Sequence, residues 1–176
     1  PEIGRASDGH SEGLQDAPKG DNRNLLPPHL EASSRALKYW LNDWLNGNPP
    51  ANIILLTSVE NQAMADKRIP ELLKIPAACR GLSLEPLLGE VDLSRSYTKE
   101  IIPSCLLNGI SWQIIGGESG GHARPCNVDW IRSLVEQGKA AGVATFVKQF
   151  SGKKSGEQGE LPNEIWNVKQ FPSLCV

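Results

Sequence analysis

The stretch Ser111-Trp-Gln-Ile-Ile-Gly-Gly-Glu-Ser-Gly-Gly121 decides the fold that we expect for this chain. We interpret residues 112–115 as an apolar strand that is covered on both faces, as the strands of parallel sheets are. The glycines that follow keep side chains away from the place where this strand ends. A carboxylate, Glu118, stands among them. The stretch therefore predicts a ligand site at the carboxyl end of a parallel strand.

Three other apolar runs of the chain also end in polar residues. These runs cover residues 52–60, 80–85 and 144–149. Segments with helical patterns separate them, and an alternation of strands and helices favours a parallel sheet with right-handed crossovers. We therefore expect an α/β fold, a partial (β/α) barrel of about four parallel strands with flanking helices.

Two of the intervening helices have recognisable end signals. Asn61 is predicted to cap a helix over residues 62–69, since an asparagine side chain can accept a hydrogen bond from the first turn. Pro70 is expected to break that helix and to open a second short one. Asn127 is predicted to cap a helix that stops at Gly142.

The helix predicted at residues 30–46 has a wide apolar stripe. An amphipathic helix normally buries such a stripe against its domain. We therefore predict that the two tryptophans of the stripe belong to the core rather than to a base-stacking surface. The stripe consists of Leu37, Trp40, Leu41, Trp44 and Leu45.

The remaining residues divide into an arm and several connections. Residues 1–29 have too few large aliphatic side chains to offset the entropy of ordering, so we predict a disordered arm before a single domain at residues 30–176. Residues 87–99 are interpreted as a long surface connection and residues 151–160 as a flexible one. Residues 164–172 have enough apolar side chains to pack back on the domain.

The composition argues against several classes of protein. A net charge of −2 over 176 residues gives no broad basic field, so nucleic acid could bind only at a local patch. The four cysteines are too far apart for a metal knuckle or a tight disulfide framework, which predicts free thiols in a reducing cytoplasm and no metal site. No apolar run approaches the length of a membrane span, and no secretory leader is recognisable. The chain starts at Pro1, as a piece of a longer protein would.

Charged residues recur at the ends of the predicted strands. Glu60, Glu85, Glu118 and Lys148 follow one another at intervals of 25, 33 and 30 residues, which suit βα units. Ligands bind at the carboxyl-end rim of barrels and open α/β sheets. Three carboxylates at one rim repel one another unless cations stand among them, and Lys148 and Arg124 are the expected partners. The alternative is that these are loop charges that face water or tie loops together.

Several motifs, in the same order along the chain, resemble those of a known family. They are Ser58-Val-Glu-Asn-Gln62, Ala65-Asp-Lys-Arg-Ile-Pro70, Glu85-Pro-Leu-Leu-Gly89, Val91-Asp-Leu93, Gly116-Gly-Glu-Ser-Gly120, Ala123-Arg-Pro125, Asp129-Trp130 and Phe146-Val-Lys-Gln149. Over residues 52–172 the chain is similar to the phage gp thirty-seven / gp sixty-eight family, a group of uncharacterised proteins from phages, plasmids and bacteria.

The resemblance implies a barrel of the radical S-adenosylmethionine type. The amino-terminal half of such a barrel would carry three cysteines for an iron–sulfur cluster, beside a bound S-adenosylmethionine. Residues 1–29 contain no cysteine. The resemblance therefore covers only the last four βα units, and cluster binding and radical chemistry would need another half.

Our first hypothesis is a carboxy-terminal half-barrel that binds a nucleotide-like or S-adenosylmethionine-like ligand at its rim and is not catalytic alone. Glu85 and Glu118 would accept hydrogen bonds, Lys148 and Arg124 would contact anionic groups, and glycine amides would donate. The candidate ligand-binding residues are Ser58, Glu60, Asn61, Glu85, Gly116, Gly117, Glu118, Ser119, Arg124, Lys148 and Gln149.

Two alternatives remain open at this point. The first is a non-catalytic nucleic-acid-binding module that uses Arg124, Lys148, Lys153, Lys154 and the arm. The second is an inactive remnant. Because an open half-barrel exposes sheet edges, we expect either a complementary half-barrel chain or self-association, and we expect no membrane partner.

Overall fold

The computed structural model describes residues 28–95 and 106–173, and side chains are described from residue 35 onward. The chain divides into two compact units, Pro1–Lys38 and Tyr39–Val176. Helix α1 (Pro28–Leu45) begins in the first unit, and the second unit contains the sheet. Most of the arm predicted at residues 1–29 lies outside the described residues, as do Cys105 and Cys175.

The second unit is built on a four-stranded sheet in which all strands run parallel, in the order β1-β2-β3-β4. The strands are β1 (Ile54–Ser58), β2 (Cys79–Leu84), β3 (Trp112–Gly116) and β4 (Ala144–Gln149). The further helices are α2 (Gln62–Lys74), α3 (Val128–Ala141) and the short α4 (Asn163–Trp166). The predicted α/β fold with four parallel strands and flanking helices is thereby confirmed.

Helices α2 and α3 cover one face of this sheet. Helix α2 connects β1 to β2 and packs on β1, whereas α3 connects β3 to β4 and packs on both strands. Both connections proceed in the same direction across the sheet, and right-handed crossovers then place both helices on the same side. Their inner residues Ile69, Ile131 and Leu134 are completely buried.

A buried polar contact fixes α3 on this face. Gln113 lies inside the run that we interpreted as apolar, yet its side chain is completely buried. Its Nε2 donates to the backbone oxygen of Leu134 at 2.8 Å and to Oγ1 of Thr145 at 2.9 Å. Gly138 of α3 lies over these side chains, where a Cβ atom would clash with both Gln113 and Thr145. The glycine therefore allows the helix to approach the strands at this point.

The opposite face is only partly covered by described residues. Trp112 and Ile114 of β3 are half-buried, and Leu56 of β1 is 37% exposed. Phe171 packs against Trp112 and Phe146 but is itself 67% exposed. The prediction that the β3 strand is covered on both faces is therefore wrong for its second face, because both crossover helices lie on the other side.

Helix α1 leaves most of its apolar stripe in solvent. Trp40 is exposed, whereas Trp44 is half-buried where its indole N–H donates to the backbone oxygen of Pro76. The two tryptophan rings meet edge to face, with 5.2 Å between their centroids. The prediction that both belong to the core is wrong, because Trp40 is exposed and Trp44, although half-buried, is not among the residues that pack against the core.

Helix α2 continues through Pro70. Asn61 caps it as predicted, and its Oδ1 accepts a hydrogen bond from the amide of Met64 at 3.1 Å. The predicted break is wrong, because the helix continues for another turn after the proline. Ile69 and Leu72 are buried on either side of Pro70. Packing of this helix thus outweighs the cost of about 3 kcal/mol that an internal proline imposes.

The connection after β2 is part of the core. Leu87, Val91 and Leu93 are each at most 1% exposed. The prediction of a surface connection at residues 87–99 is therefore wrong for these three residues, whereas Glu90, Asp92 and Ser94 are exposed. Gln137 of α3 holds the segment, since its Nε2 donates to the oxygen of Val91 at 3.0 Å and its Oε1 accepts from the amide of Leu93 at 2.6 Å.

The carboxyl-terminal segment packs back on the domain, as predicted. The amide of Val147 donates to the oxygen of Val168 at 2.9 Å, and the amide of Gln170 donates to the oxygen of Thr145 at 2.8 Å. Residues 168–170 thereby run antiparallel along the free edge of β4.

Replacement of Gly138 by alanine tests the contact beneath α3. In an ordinary helix this change stabilises by about 0.5–1 kcal/mol, but here the added methyl group meets Gln113 and Thr145. We expect overpacking to lower the free energy of unfolding by about 1–3 kcal/mol, measured by urea denaturation. Glu136→Ala, at an exposed position of the same helix, is the control and should change it by less than about 0.5 kcal/mol. A stabilised Gly138→Ala protein would contradict the contact.

Candidate ligand-binding site

The carboxyl ends of all four strands lie at one edge of the sheet, because the strands run parallel. Glu85 directly follows β2, Glu118 follows β3, and Lys148 lies near the end of β4. Glu85 and Glu118 line the same small pocket, and Lys148 contacts Glu85. The side chain of Glu60, after β1, does not line this pocket.

An ion pair spans the end of β3. The carboxylate of Glu85, which follows β2, accepts a hydrogen bond from Nζ of Lys148 on β4 at 2.7 Å. Strand β3 lies between these two strands, and a Cβ atom at Gly116 would come within 2.9 Å of Cγ of Glu85. A residue with a side chain at Gly116 would therefore obstruct the crossing. The side chain of Glu85 is only 16% exposed, so the carboxylate is largely shielded from water.

A second ion pair fixes the loop after β3. The guanidinium of Arg124 donates to Glu118 through Nε at 2.6 Å and through NH2 at 3.1 Å, and the Arg124 amide donates to the same carboxylate at 3.0 Å. The side-chain hydrogen bonds, followed by the backbone one, lower the pKa of Glu118 from 4.5 to about 2. The side-chain hydrogen bonds also raise the pKa of Arg124. Both groups are therefore charged at neutral pH.

The side chain of Gln149 connects the loops that follow β3 and β4. Its side chain is buried, and its Nε2 donates to the oxygen of Gly117 at 2.7 Å. Its Oε1 accepts from Oγ of Ser155 at 2.8 Å and from the amide of Gly156 at 3.0 Å. We predicted a flexible connection at residues 151–160. In the structure Ser155 and Gly156 attach this connection to β4 through their hydrogen bonds to Gln149.

The amide of Gly117 is also used within the protein, since it donates to the oxygen of Gln149 at 3.1 Å. A Cβ atom at Gly117 would clash with the backbone and hydroxyl of Ser151. The carbonyl of Gly116 accepts from the amide of Leu87 at 2.9 Å. These two glycines therefore allow the loops after the strands to pack closely, and the Gly117 amide has no proton left for a ligand.

The pocket at this edge has a volume of about 240 Å³. Each of its two carboxylates is paired with one cation, but a carboxylate can accept about four hydrogen bonds. Lone pairs thus remain available at Glu85 and Glu118. Such a pocket suits a ligand group with hydroxyl or amino donors better than an isolated anion. It is lined by Glu85, Pro86, Gly117, Glu118, Ser119 and Gln149.

Three other candidate residues stabilise the first βα turn. Glu60 pairs with Arg68 at 2.9 Å, and the same guanidinium donates to the backbone oxygen of Ser58 at 2.8 Å. Asn61 caps α2. Sequence reasoning missed Arg68, although its position about two helical turns after Glu60 was a usable signal. It also missed Pro86, which the pocket shares with Glu85.

The described residues do not fit the iron–sulfur cluster that the resemblance implies for a complete barrel. No group of three His, Cys, Asp or Glu side chains that could hold a metal ion occurs among them. Cys79 and Cys126 are free and buried. Burial raises the pKa of Cys126 to about 11, whereas the ligands of such clusters are thiolates.

Comparison with known proteins identifies a family without a known function. A family model described as "Protein of unknown function (DUF5131)" matches residues 22–168, which is most of the chain. No curated protein and no solved structure matches the chain. Within the described segments, no helix has the length and apolar character needed to cross a membrane.

Removal of the Arg124 side chain should raise the pKa of Glu118. The folded pKa of about 2 lies below 4.5, so the stabilising contribution of the pair is complete above about pH 4.5 and is lost as the pH falls toward 2. In Arg124→Ala only the backbone hydrogen bond remains. A carbon-detected NMR titration of the Glu118 carboxyl should then give a pKa nearer 4.5. Arg132→Ala, which breaks an exposed pair with Asp129, should leave that pKa unchanged, and an unshifted value in Arg124→Ala would refute the assignment.

Replacement of Gln149 by glutamate should destabilise the rim. A carboxylate cannot donate to the oxygen of Gly117, which would be left without its partner. We expect the free energy of unfolding to fall by about 1–3 kcal/mol in chemical denaturation. Ser155→Ala removes one of the bonds on the acceptor side and should cost only about 1 kcal/mol. Equal stability of wild type and Gln149→Glu would show that this amide does not organise the loop.

Proposed function

The chain belongs to the family of proteins of unknown function that was matched over residues 22–168, and within it we propose that the chain acts as the carboxy-terminal half of a radical S-adenosylmethionine-type barrel. In this proposal the rim pocket binds a nucleotide-like or S-adenosylmethionine-like ligand. In the same proposal the chain is not catalytic alone. The phage gp thirty-seven / gp sixty-eight family, which the motifs resemble, is the proposed wider group.

The topology of the sheet supports the barrel half. The strands follow one another in sequence order, without the reversal that creates the crevice of a doubly wound sheet. The crossover helices lie on one face, as the outer helices of a (β/α) barrel do. The opposite face, with Leu56, Ile114 and Phe146, would then be the inner wall of the barrel.

The observation that carries the ligand proposal is the presence of Glu85 and Glu118 in one pocket at the carboxyl edge. The hydroxyl groups of a ribose or an amino group would donate to the lone pairs that the ion pairs leave free. Lys148 and Arg124 are paired with these carboxylates, so in this proposal they hold Glu85 and Glu118 in place. The pocket of about 240 Å³ is smaller than a complete ligand site of roughly 300–1,000 Å³, so it would hold one moiety of the ligand.

The nucleic-acid alternative has less support from the rim. Arg124 and Lys148, two of the four basic residues assigned to it, are engaged in ion pairs with carboxylates. Lys153 and Lys154 are exposed, but two adjacent lysines form only a small patch for a phosphate backbone. Binding of this kind would weaken steeply as the salt concentration rises.

The sheet edges suggest where a complementary half would join. Residues 168–170 already pair with the edge of β4. In the described part of the chain β1 pairs only with β2, so its outer edge is open. An unpaired edge is a template for another strand, and we propose that a complementary half-barrel chain pairs with β1.

Isothermal titration calorimetry with S-adenosylmethionine and adenosine tests the rim site. Glu85→Gln and Glu118→Gln remove the charge of an acceptor while keeping the shape of the side chain. Each should weaken binding by about tenfold or more, because a hydrogen bond to a charged group contributes about 1.5–3 kcal/mol. The melting temperature should change little in Glu118→Gln, since a half-exposed ion pair contributes about 0–1 kcal/mol. Glu85→Gln should lower it more, because the Glu85 side chain is only 16% exposed.

Glu71→Gln is the matched control for this experiment, because Glu71 forms an exposed pair with Lys74 on α2. Its affinity for either ligand should equal that of the wild type. Unchanged affinity in both rim variants would refute the site. A large loss of stability without a loss of affinity would make the two carboxylates structural, and salt-dependent affinity for DNA or RNA in the absence of nucleoside binding would favour the alternative.

A further inference from the structure

Residues 168–170, which we call the terminal strap, occupy the outer edge of β4. Two backbone hydrogen bonds hold the strap there. The amide of Val147 donates to the oxygen of Val168 at 2.9 Å, and the amide of Gln170 donates to the oxygen of Thr145 at 2.8 Å. The strap runs antiparallel to β4, whereas the strands β1 to β4 all pair in parallel.

Side chains of the strap bond to the remaining polar groups of this edge. Oε1 of Gln170 accepts a hydrogen bond from the amide of Thr145 at 3.0 Å. Nζ of Lys169 donates to the oxygen of Val147. The amide and carbonyl groups that Thr145 and Val147 present at the outer edge therefore all have partners in a segment of three residues. An uncovered edge offers such groups to another strand, and the strap prevents this at β4.

Contacts with three neighbouring elements keep the strap in place. Nζ of Lys169 lies 3.5 Å from the ring centroid of Trp166 on α4 and 5.0 Å from that of Phe146 on β4, which are favourable positions for a cation–π interaction. The indole N–H of Trp112 on β3 donates to the oxygen of Gln170 at 3.0 Å. None of the three strap residues is buried. Such a segment opens more readily than the core of a domain.

The other edge of the sheet has no such cover in the described part of the chain. Strand β1 pairs only with β2 there, although Arg68 donates to the oxygen of Ser58 at the end of β1. Natural edge strands are commonly protected by charged residues, proline or bulges. Strand β1 contains neither a charged residue nor a proline, and its register with β2 is regular. Its central residue, Leu56, is exposed. This edge is therefore suited to pairing with another strand.

We propose that the terminal strap keeps the chain monomeric, and that its displacement allows β4 to pair with β1 of a second copy of the chain. This contact would join two different surfaces, so covering either of them prevents it. The strap covers the edge of β4. The edge of β1 can then stay open without head-to-tail association of the chains.

The geometry of the sheet favours a second copy as the occupant of the exposed β4 edge. Strands β1 and β4 have similar lengths, five and six residues. If two copies exchange this contact in both directions, eight parallel strands follow one another around a ring, which is the number in a closed (β/α) barrel. Helices α2 and α3 of both copies would lie on the outer face. The inference goes beyond the proposed function, because it involves no ligand.

Gln170→Pro in the full chain tests the role of the strap. Proline has neither an amide proton nor a side-chain acceptor, so Thr145 loses both of its partners. In analytical ultracentrifugation the wild type should have the mass of one chain. The variant should form dimers with a dissociation constant about tenfold or more below that of the wild type. Hydrogen exchange of the Val147 amide, followed by NMR in dilute solution, should accelerate by about tenfold or more.

Further variants separate strand pairing from a general loss of structure. Addition of Leu56→Lys to Gln170→Pro should restore the monomer, because a lysine on an edge strand opposes pairing. Ser173→Pro is the matched control, since it introduces a proline beyond the strap, and it should behave as the wild type does. Lys169→Ala keeps the backbone bonds and should give an intermediate dissociation constant. It decides the question if circular dichroism shows that Gln170→Pro is unfolded.

Three outcomes would overturn the inference. The first is a wild type that is already dimeric, which pairing of two β1 strands would produce. The second is a folded Gln170→Pro protein that remains monomeric, whatever the exchange rate of its Val147 amide. The third is association that persists after addition of Leu56→Lys, since β1 would then not be the partner strand. The proposed rim site is tested separately by calorimetry, so its failure and that of the strap are distinguishable.

Discussion

The architecture of the site depends on close approach to strand β3, which is possible only where a Cβ atom is absent. At Gly116 the side chain of Glu85 crosses the end of the strand to reach Lys148, and at Gly117 the backbone after β4 comes into contact. On the face of the sheet that α3 covers, Gly138 allows this helix to lie directly against the side-chain amide of Gln113. An alanine at any of these places would push apart two elements that the rest of the fold holds together. All three glycines are therefore needed for packing, and Gly117 also lines the pocket.

The ion pairs offset the repulsion that carboxylates at neighbouring strand ends would otherwise exert on one another. Carboxylates at the ends of successive parallel strands would raise one another's pKa if they stood together unpaired. The structure instead gives each its own cation: Glu60 has Arg68 and Glu118 has Arg124, both supplied from the segment that follows the same strand. Glu85 is different, because its cation comes from β4. That pair links non-adjacent strands, so it reports on the integrity of the whole rim.

The sequence predicted the strands well, because an apolar run that stops at a carboxylate is a local pattern. It did not predict the features that depend on contacts between residues far apart in the chain. Pro70 remains inside α2 since Ile69 and Leu72 are buried around it, and no local rule gives the strength of that packing. In its local sequence Leu93 resembles a loop residue. In the structure it is buried, and its amide donates a hydrogen bond to Gln137 of helix α3. Pairing of Glu85 with Lys148 likewise depends on strand order, which local patterns leave undetermined.

The pocket lies away from the edge of the sheet that remains open in the described part of the chain. Every residue that lines the pocket follows β2 or β3 or is the last residue of β4. Among the described strands, β1 is the one with an open edge. The edge of β4 is closed by residues 168–170, and Phe171 covers part of the adjoining face. A strand added at β1 would therefore leave Glu85 and Glu118 where they are. The proposed ligand binding and the proposed docking of a complementary half would then be separate events, because the first uses the carboxyl ends of β2, β3 and β4 and the second uses the side of β1.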